Sequence, residues 1–439
     1  MTAQHNQHLV RRISLISLIF YGIGDILGAG IYGLVGKAAG IMGNGIWLAF
    51  LVSALAAIFT GLTYASLGSR YPRAAGIAYI LKKSFGSSFL AYVFGIMVLC
   101  SGLVSMATAS RAFSGYLTGM IPALSLNVGI LIFIALLTLI VLKGIKESMW
   151  ANIICTVIEL SGLLLVIAFG LSFIGDSSLI DFTTEANPTG QLHVPMVFSG
   201  AILTFYSFMG FEDIMNVAEE VENPQRNLPI GILVAVAVSS VIYMLISIIA
   251  VSVIPAGELA KSTQPLVDVM AKAAPWFPAK IFSFISMFAI ANTALLNFIM
   301  GSRLVYGMSR EKLLPKFLGY VSAKTHTPVT AILVCIGVVL LMAFTGDIAI
   351  LAKSSSLLLL TGFFMMNMSL IILKRRKNEE KGRFEVPYII PAFGCVLAIS
   401  LIFSATFEEA QRAMGVFVVG CILYFILRPK AEAIEKMQG

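Results

Sequence analysis

About twelve runs of roughly 20 apolar residues, each near the length that carries a helix across the hydrocarbon of a bilayer, dominate this chain. In the first half they lie near 14–36, 45–67, 88–117, 127–145, 149–174 and 195–217. In the second half they lie near 229–253, 280–307, 329–345, 349–373, 387–407 and 413–427. Backbone in lipid has to satisfy its own N–H and C=O groups, and a helix does so within one segment. The expected fold class is therefore an all-α polytopic membrane protein with about 12 transmembrane helices. Composition agrees where it discriminates. Only 12% of residues are charged, against about a quarter in soluble domains, and the mean hydropathy is +0.93. No soluble domain can be cut out, since the intervening stretches, among them about 175–194, 254–279, 308–328 and 374–386, are all short.

The net charge of +8 is informative through its distribution. With the N-terminus placed in the cytoplasm, all but seven of the 30 Lys and Arg fall on cytoplasmic loops or helix ends. Those seven are Lys37, Arg111, Lys261, Lys272, Lys280, Lys353 and Arg412, and the dense block Lys374-Arg375-Arg376-Lys377 falls on the cytoplasmic side. Both termini are thus expected in the cytoplasm, in a plasma (bacterial inner) membrane, and the basic balance needs no nucleic-acid partner. Cys100, Cys155, Cys335, Cys395 and Cys421 all lie in apolar segments, which suits small buried hydrophobes rather than a disulfide framework or metal site. His5, His8, His193 and His326 fall in loops or tails, which argues against a buried histidine relay or metal centre. No cofactor is expected. The first segment follows Arg11-Arg12 as a signal peptide would. It is too long, carries Asp25 at mid-span and has no clear cleavage site, so it is read as retained.

Two segments are interrupted alike. The first contains Gly22-Ile-Gly24-Asp25-Ile26-Leu-Gly28-Ala29-Gly30-Ile31, the sixth Phe205-Tyr206-Ser207-Phe208-Met209-Gly210-Phe211-Glu212-Asp213. If segments 1–5 and 6–10 are two repeats, these breaks occupy matching places, and an odd repeat length inverts the second repeat. Paired broken helices are the best sequence pointer to a transporter's binding site. Unwound backbone in a bilayer is costly unless it lines a polar cavity. There, free N–H groups at a half-helix N-terminus can hold a carboxylate, and freed carbonyls an ammonium. A zwitterionic amino acid offers both charges. Gly28 to Gly33 also matches GxGxxG, but no strand precedes it, so it is not a nucleotide site. Gly24 and Gly28 form a GxxxG, which leaves close helix packing open beside substrate contact.

Five motifs in order carry a resemblance over nearly the whole chain. They are the glycine break of the first helix; Gly210-Phe211 with Ala218-Glu219-Glu220-Val221-Glu222-Asn223-Pro224-Gln225-Arg226 and Leu228-Pro229; Gly301-Ser302-Arg303 with Tyr306, Met308, Arg310-Glu311 and Leu314-Pro315; Thr327-Pro328 with Ala331; and Arg383-Phe384-Glu385-Val386-Pro387. Together they resemble the amino acid–polyamine–organocation (APC) superfamily of permeases. The motifs come nearest to cationic-amino-acid-type and basic amino acid/polyamine transporters. The resemblance implies a LeuT-like 5+5 fold: residues 1–174 and 195–373 as inverted repeats, with 387–427 as two extra helices. It further implies that Ile26, Gly28, Ala29 and Gly30 contact the substrate, the glycine amides holding its carboxylate. Phe205, Tyr206, Ser207, Phe208, Met209 and Gly210 would complete the site, their carbonyls taking the amino group. Tyr206 falls where related exchangers place an aromatic gate; a Tyr packed within the bundle is the plainer alternative.

Ionisable groups inside the bilayer are expensive and usually face a cavity or a partner. Asp25, Glu159 and Glu212 qualify, with Asp213 beside the last. Glu212 falls where arginine–agmatine-type exchangers carry a glutamate linked to protonation, which makes it the first candidate for proton coupling; a salt bridge to a neighbouring helix is the alternative. Glu159 departs from the family pattern, because cationic-amino-acid-type permeases often carry a lysine there, held to stand in for sodium. A carboxylate could instead carry a proton or help bind a cation near Asn292, Thr293 and the Gly22–Gly24 backbone. Asp25 could favour a cationic substrate or carry a proton if it faces the cavity, and is structural if it faces another helix. Glu219, Glu220, Glu222 and Arg226 are expected to cap helix ends and contact Arg303 and Arg310.

The leading expectation is alternating-access transport of an amino acid, coupled to a proton (or sodium) gradient or to exchange. A permease or antiporter of polyamines or other organic amines is the alternative. An enzyme would need a nucleophile–base or metal constellation, and no HExxH, GxSxG or clustered His is present. A channel would favour a continuous filter or charged ring over paired breaks. A non-transporting sensor completes the set.

Overall fold

The computed structural model describes residues 9–427 apart from 122, 176, 263, 346 and 347. At 29, 116, 119, 120, 345, 348–355, 408, 409, 412 and 427 it describes the backbone alone. The expectations for His5, His8, the side chains of Lys353 and Arg412, and both chain ends lie outside the described residues.

Helices follow the apolar runs. The first run is split into α1 (Leu15–Ile26) and α2 (Ala29–Met42), followed by α3 (Ile46–Arg70), α4 (Gly76–Phe85), α5 (Ser88–Met120), α6 (Leu126–Lys143) and α7 (Ile145–Gly170). The sixth run opens as α8 (Val194–Phe205) and continues as tighter 3-10 turns over Tyr206–Phe208 and Phe211–Glu220. Then come α9 (Pro224–Val253), α10 (Ala256–Leu259), α11 (Pro265–Ala273), α12 (Ala279–Arg310), α13 (Val329–Thr345), α14 (Ile348–Arg375), α15 (Ile389–Phe403) and α16 (Phe407–Leu427). Among the described residues there is no strand, only the isolated bridges Ile13–Val221 and Thr184–Asn187. Serines cap several starts: Ser14 accepts from the Ser17 amide, Ser87 from Leu90 and Ser125 from Val128.

Two stretches expected as connections hold helices. Residues 76–85 form α4, which buries Ile77, Ala78, Ile80 and Leu81 and ends on Lys82 and Lys83. This amphipathic helix is too short to register as an apolar run. The outer stretch 254–279 contains α10 and α11.

Polarity is distributed as a bilayer requires. Leu131, Leu136 and Leu139 of α6, Val396 and Phe403 of α15, and Val419, Ile422, Phe425 and Ile426 of α16 are all exposed, whereas Asp25, Glu159, Glu212, Asp213 and Arg303 are buried. Eight stretches among the described residues are long and apolar enough to cross a membrane, and three shorter apolar helices accompany them at 329–344, 389–403 and 413–426. The chain is a polytopic helical membrane protein.

Basic residues gather at one end of the bundle, where α3, α12 and α14 finish. There Arg303 donates from Nε to Glu220 Oε2 at 2.9 Å, both side chains essentially inaccessible, and Arg310 reaches Glu219 at 3.5 Å. The residues before α1 are stitched to the same place, since Arg12 and Ile13 amides donate to the Glu220 carbonyl. Glu222 donates its amide to Ile13 and accepts from Asn227, while Arg226 stays exposed. Nearby, Glu385 takes Arg70 at 2.6 Å and Lys374 at 3.0 Å. Glu379 takes Lys83, Arg376 and the Tyr71 hydroxyl. Burial alone would raise both carboxyls, but the hydrogen bonds from Arg70 and Lys374 to Glu385, and from Tyr71 and Lys83 to Glu379, hold both below the ordinary 4.5.

Candidate functional site

The two helix breaks meet. α1 stops at Ile26, Leu27 and Gly28 are non-helical, and α2 starts at Ala29, its N-cap position held by Gly28, which has no side chain to cap the turn. α8 stops at Phe205, and Gly210 then adopts φ +128° before the second 3-10 stretch. The breaks are tightly apposed. A Cβ on Gly30 would fall 2.8 Å from Ser207 Cα, and one on Gly210 would fall 3.0 Å from the Asp25 carboxyl carbon. The hydroxyl of Tyr243 on α9 lies within donating distance of both the Ile26 carbonyl and, at 2.8 Å, the Ser207 carbonyl, tying the end of α1 to the turn after α8.

Between the breaks lies a cavity of about 550 Å³, counted to its open mouth. Asp25, Ile26, Gly28 and Gly30 line it from the first break, and Tyr206, Ser207, Met209, Gly210, Glu212 and Asp213 from the second. α5 adds Val98, Ser101, Gly102 and Ser105; α12 adds Thr293, Asn297 and Met300; α14 adds Leu359. Ten of the residues singled out from the two breaks therefore share one space, and Thr293 joins them from α12. The α5 residues and Asn297 went unnoticed in the sequence, although Ser101/Ser105 and Thr293/Asn297 are polar pairs spaced by four within apolar runs, a spacing that shares one helix face. Asn297 donates to Ser105 at 3.3 Å and links the two helices across the cavity floor.

The other expected site residues are placed differently. Phe205 packs on Phe363, and Phe208 on Tyr243 and Phe50, so both side chains are in the aromatic core. The carbonyls expected to receive an amino group are partly engaged: Tyr206 O accepts the Met209 amide, and Ser207 O faces Tyr243. The side chain of Ala29 lies outside the described residues. Asn292 points away from Thr293 and from the cavity.

Asn292 belongs to a second polar cluster, wholly buried, between α1, α7 and α12. It donates to Glu159 at 3.3 Å and to Thr156 at 3.0 Å, and accepts from Asn152 at 3.0 Å. Thr156 reaches the Phe20 carbonyl of α1 at 3.4 Å. A Cβ on Gly24 would fall 2.1 Å from Thr156 Oγ1, so only glycine lets α1 rest on this cluster. Glu159 Oε1 and Asn152 Oδ1 have no hydrogen-bond donor.

Within the cavity, Glu212 Oε2 accepts the Gly210 amide at 2.9 Å. Among the described residues it forms no salt bridge to a neighbouring helix, unlike the alternative weighed for it. Asp25 faces Asp213 and Glu212. It is 7% exposed, and its Oδ2 finds no donor. No Lys, Arg or His is among the described residues that line the cavity.

A helical membrane bundle with two apposed helix breaks around a polar cavity has the form of a permease, and sequence comparison agrees. The chain belongs to the amino acid permease family of the APC superfamily, whose profile matches residues 13–427. It is 30% identical to cationic amino acid transporter 9, chloroplastic, of Arabidopsis thaliana over 70% of this chain, and spans only 56% of that relative. It is 25% identical to the branched-chain amino acid permease BcaP of Bacillus subtilis over 98% of this chain and 95% of that protein. It is also 30% identical to an uncharacterized transporter of Mycobacterium tuberculosis over 77% of this chain and 75% of the relative. These similarities place it with transporters, not enzymes.

Proposed function

We propose that the protein moves amino acids across the membrane by alternating access, as a secondary transporter. The apposition of the two helix breaks around one polar cavity carries this reading. The substrate carboxylate docks at the N-terminus of α2, near Gly28 and Gly30, where backbone N–H groups and the positive end of the helix favour an anion. Its amino group meets the carbonyls and carboxylates of the facing turn. The relatives' names point to cationic substrates in one case and branched-chain substrates in another. A permease of organic amines is the alternative.

The architecture we assign is LeuT-like. Counting Leu15–Arg70 as two crossings and adding the three shorter apolar helices to the other seven spans makes twelve. Residues 1–174 and 195–373 are the inverted repeats, and 387–427 the two extra helices. In support, α3 packs extensively along α9 and α5 along α12, the equivalent helices that a two-fold axis between the repeats would bring together. The basic end of the bundle is cytoplasmic and the membrane is the plasma (bacterial inner) membrane, consistent with the positive-inside rule.

Coupling is to protons, with Glu212 as the first carrier and Asp25 beside it. The Glu159 cluster, with Asn292 and the neighbouring Thr293, is the place for a cation or a second proton. The test is reconstitution of the full-length protein in liposomes under an imposed proton gradient, sodium gradient or counter-substrate. Accumulation or exchange of a labelled amino acid is expected. Transport of none of the protein amino acids nor of common polyamines would end this reading.

A further inference from the structure

At the basic end of the bundle the cations meet two different fates. Around α3, α4 and α14, Arg70, Lys82, Lys83, Lys374 and Arg376 are spent on Glu311, Glu379 and Glu385. At the corner where α6, α7 and α13 come together, Lys143, Lys146, Lys316 and Lys324 are all exposed. Among the described residues none of these four is in an ion pair. One exposed acid, Glu147, shares the corner, and its carboxylate folds back toward Gly144, where a Cβ would fall 2.9 Å from Oε2.

Three contacts build this corner. α6 packs against both α7 and α13. The turn at Gly144, between Lys143 and Lys146, rests on the loop before α13, since a Cβ on Gly144 would fall 3.5 Å from the carbonyl oxygen of Thr325, next to Lys324. Thr330 at the start of α13 donates to the Phe317 carbonyl at 2.7 Å, which holds the 3-10 turn Lys316–Gly319 at the same place. Below the lysines each helix turns apolar surface outward. Along α7 one exposed face runs Lys146, Trp150, Ile154, Val157 at helical spacing, from charge through an aromatic ring to hydrocarbon. On α6, Lys143 follows the exposed Leu136 and Leu139, and α13 exposes Leu333 and Val334. Trp150 is 59% and Phe317 62% exposed. That order sets the two rings at the membrane–water interface and the lysines at headgroup depth.

We propose that this corner binds the headgroup of an anionic phospholipid in the leaflet at the basic end, with the acyl chains lying along the exposed faces of α6, α7 and α13. Charge complementarity selects the occupant. Four ammonium groups stand beside a single carboxylate, and a lipid phosphate supplies counter-charge that the chain does not. The apolar surface selects a lipid over a soluble anion, which would leave Trp150 and Phe317 uncovered. The indole N–H of Trp150 can donate to a headgroup oxygen while its ring stays among the upper methylenes.

Trp150 reports on the site directly. The full-length protein is placed in bilayers of equal parts phosphatidylglycerol and phosphatidylcholine, with one or the other carrying brominated chains that quench tryptophan. The Trp150 signal is isolated by subtracting the fluorescence of the Trp150→Phe variant. Phosphatidylglycerol should be favoured at Trp150 by about fivefold or more, the scale of one lysine at an anionic surface. The variant Lys143→Gln/Lys146→Gln/Lys316→Gln/Lys324→Gln should bring that preference to about one. Arg375→Gln/Lys377→Gln/Lys381→Gln, which removes exposed cations around the loop after α14, should leave it unchanged. Equal quenching by the two lipids in the unaltered protein would overturn the proposal, whether or not the lysine variant folds. An equal loss in the second variant would overturn it too, by making the attraction a property of the whole basic face. Displacement by inorganic phosphate at constant ionic strength would do the same, by making the corner a site for soluble anions.

Discussion

The carboxylate of Glu212 turns back on its own chain and accepts the amide N–H of Gly210 at 2.9 Å, at the point where the sixth membrane segment loses its α-helical form. A carboxylate held by one backbone amide, inside a cavity and without a cation, can exchange a proton with the cavity without first breaking a salt bridge. Its acceptor role survives in glutamine. Glu212→Gln should therefore keep the turn and remove the proton. The expected outcome is a flattened pH dependence of uptake. Glu159→Gln, in a separate cluster, should leave the profile sloped. A sloped profile in the first variant with a flat one in the second would transfer the coupling role to Glu159.

Gly210 itself is constrained twice, by φ +128° and by contact with Asp25. Gly210→Ala should lower stability by about 1–3 kcal/mol, the usual cost of forcing a side chain into such a backbone region. Thermal unfolding in detergent reads this directly, and an unchanged Tm would show that the turn relaxes freely.

Gly30 tests the opposite wall. Its absent Cβ would lie 2.8 Å from Ser207 Cα, backbone that has no rotamer to yield. Gly30→Leu should express and insert, because the change is apolar, yet lose substrate binding by about tenfold or more as the breaks are forced apart. Wild-type affinity in that variant would remove the first helix from the site.

The Arg303–Glu220 pair predicts a non-additive result. Removing either partner strands a charge in a sealed environment, at a cost of about 3–5 kcal/mol, whereas replacing both with apolar residues of similar size is often tolerated. Arg303→Met and Glu220→Met should each lower Tm more than the double variant does. Additive losses would mean that the pair is hydrated and contributes as ordinary surface charges.

Glu379 and Glu385 set an acid limit. Both are held below the ordinary 4.5, so the stability they confer is complete above that value and is lost as pH falls through their lower folded values. The double variant Glu379→Gln/Glu385→Gln should start from a lower Tm at neutral pH and lose less on acidification than the unaltered protein. Parallel pH–Tm curves would show that this loop network contributes nothing.

The membrane class, the helix positions and the family were legible because each depends on residues near in sequence. Apolar runs set helix lengths, and the motif around Gly210 to Pro229 is contiguous. The two breaks were legible for the same reason: glycines cluster where the chain unwinds. Helix α4 was missed because ten amphipathic residues leave no apolar run. The far wall of the cavity escaped too. Ser101, Ser105 and Asn297 are ordinary polar residues until α5 and α12 are set side by side. The same holds for rotation about a helix axis. Asn292 and Thr293 are adjacent in sequence, yet one faces Glu159 and the other the cavity, because successive helical residues point about 100° apart. Sequence alone determined that carboxylates would sit inside the membrane. Only the packing of α1 against the turn after α8 decided that Asp25, Glu212 and Asp213 share one space, since charges act across distances that the order of residues does not encode.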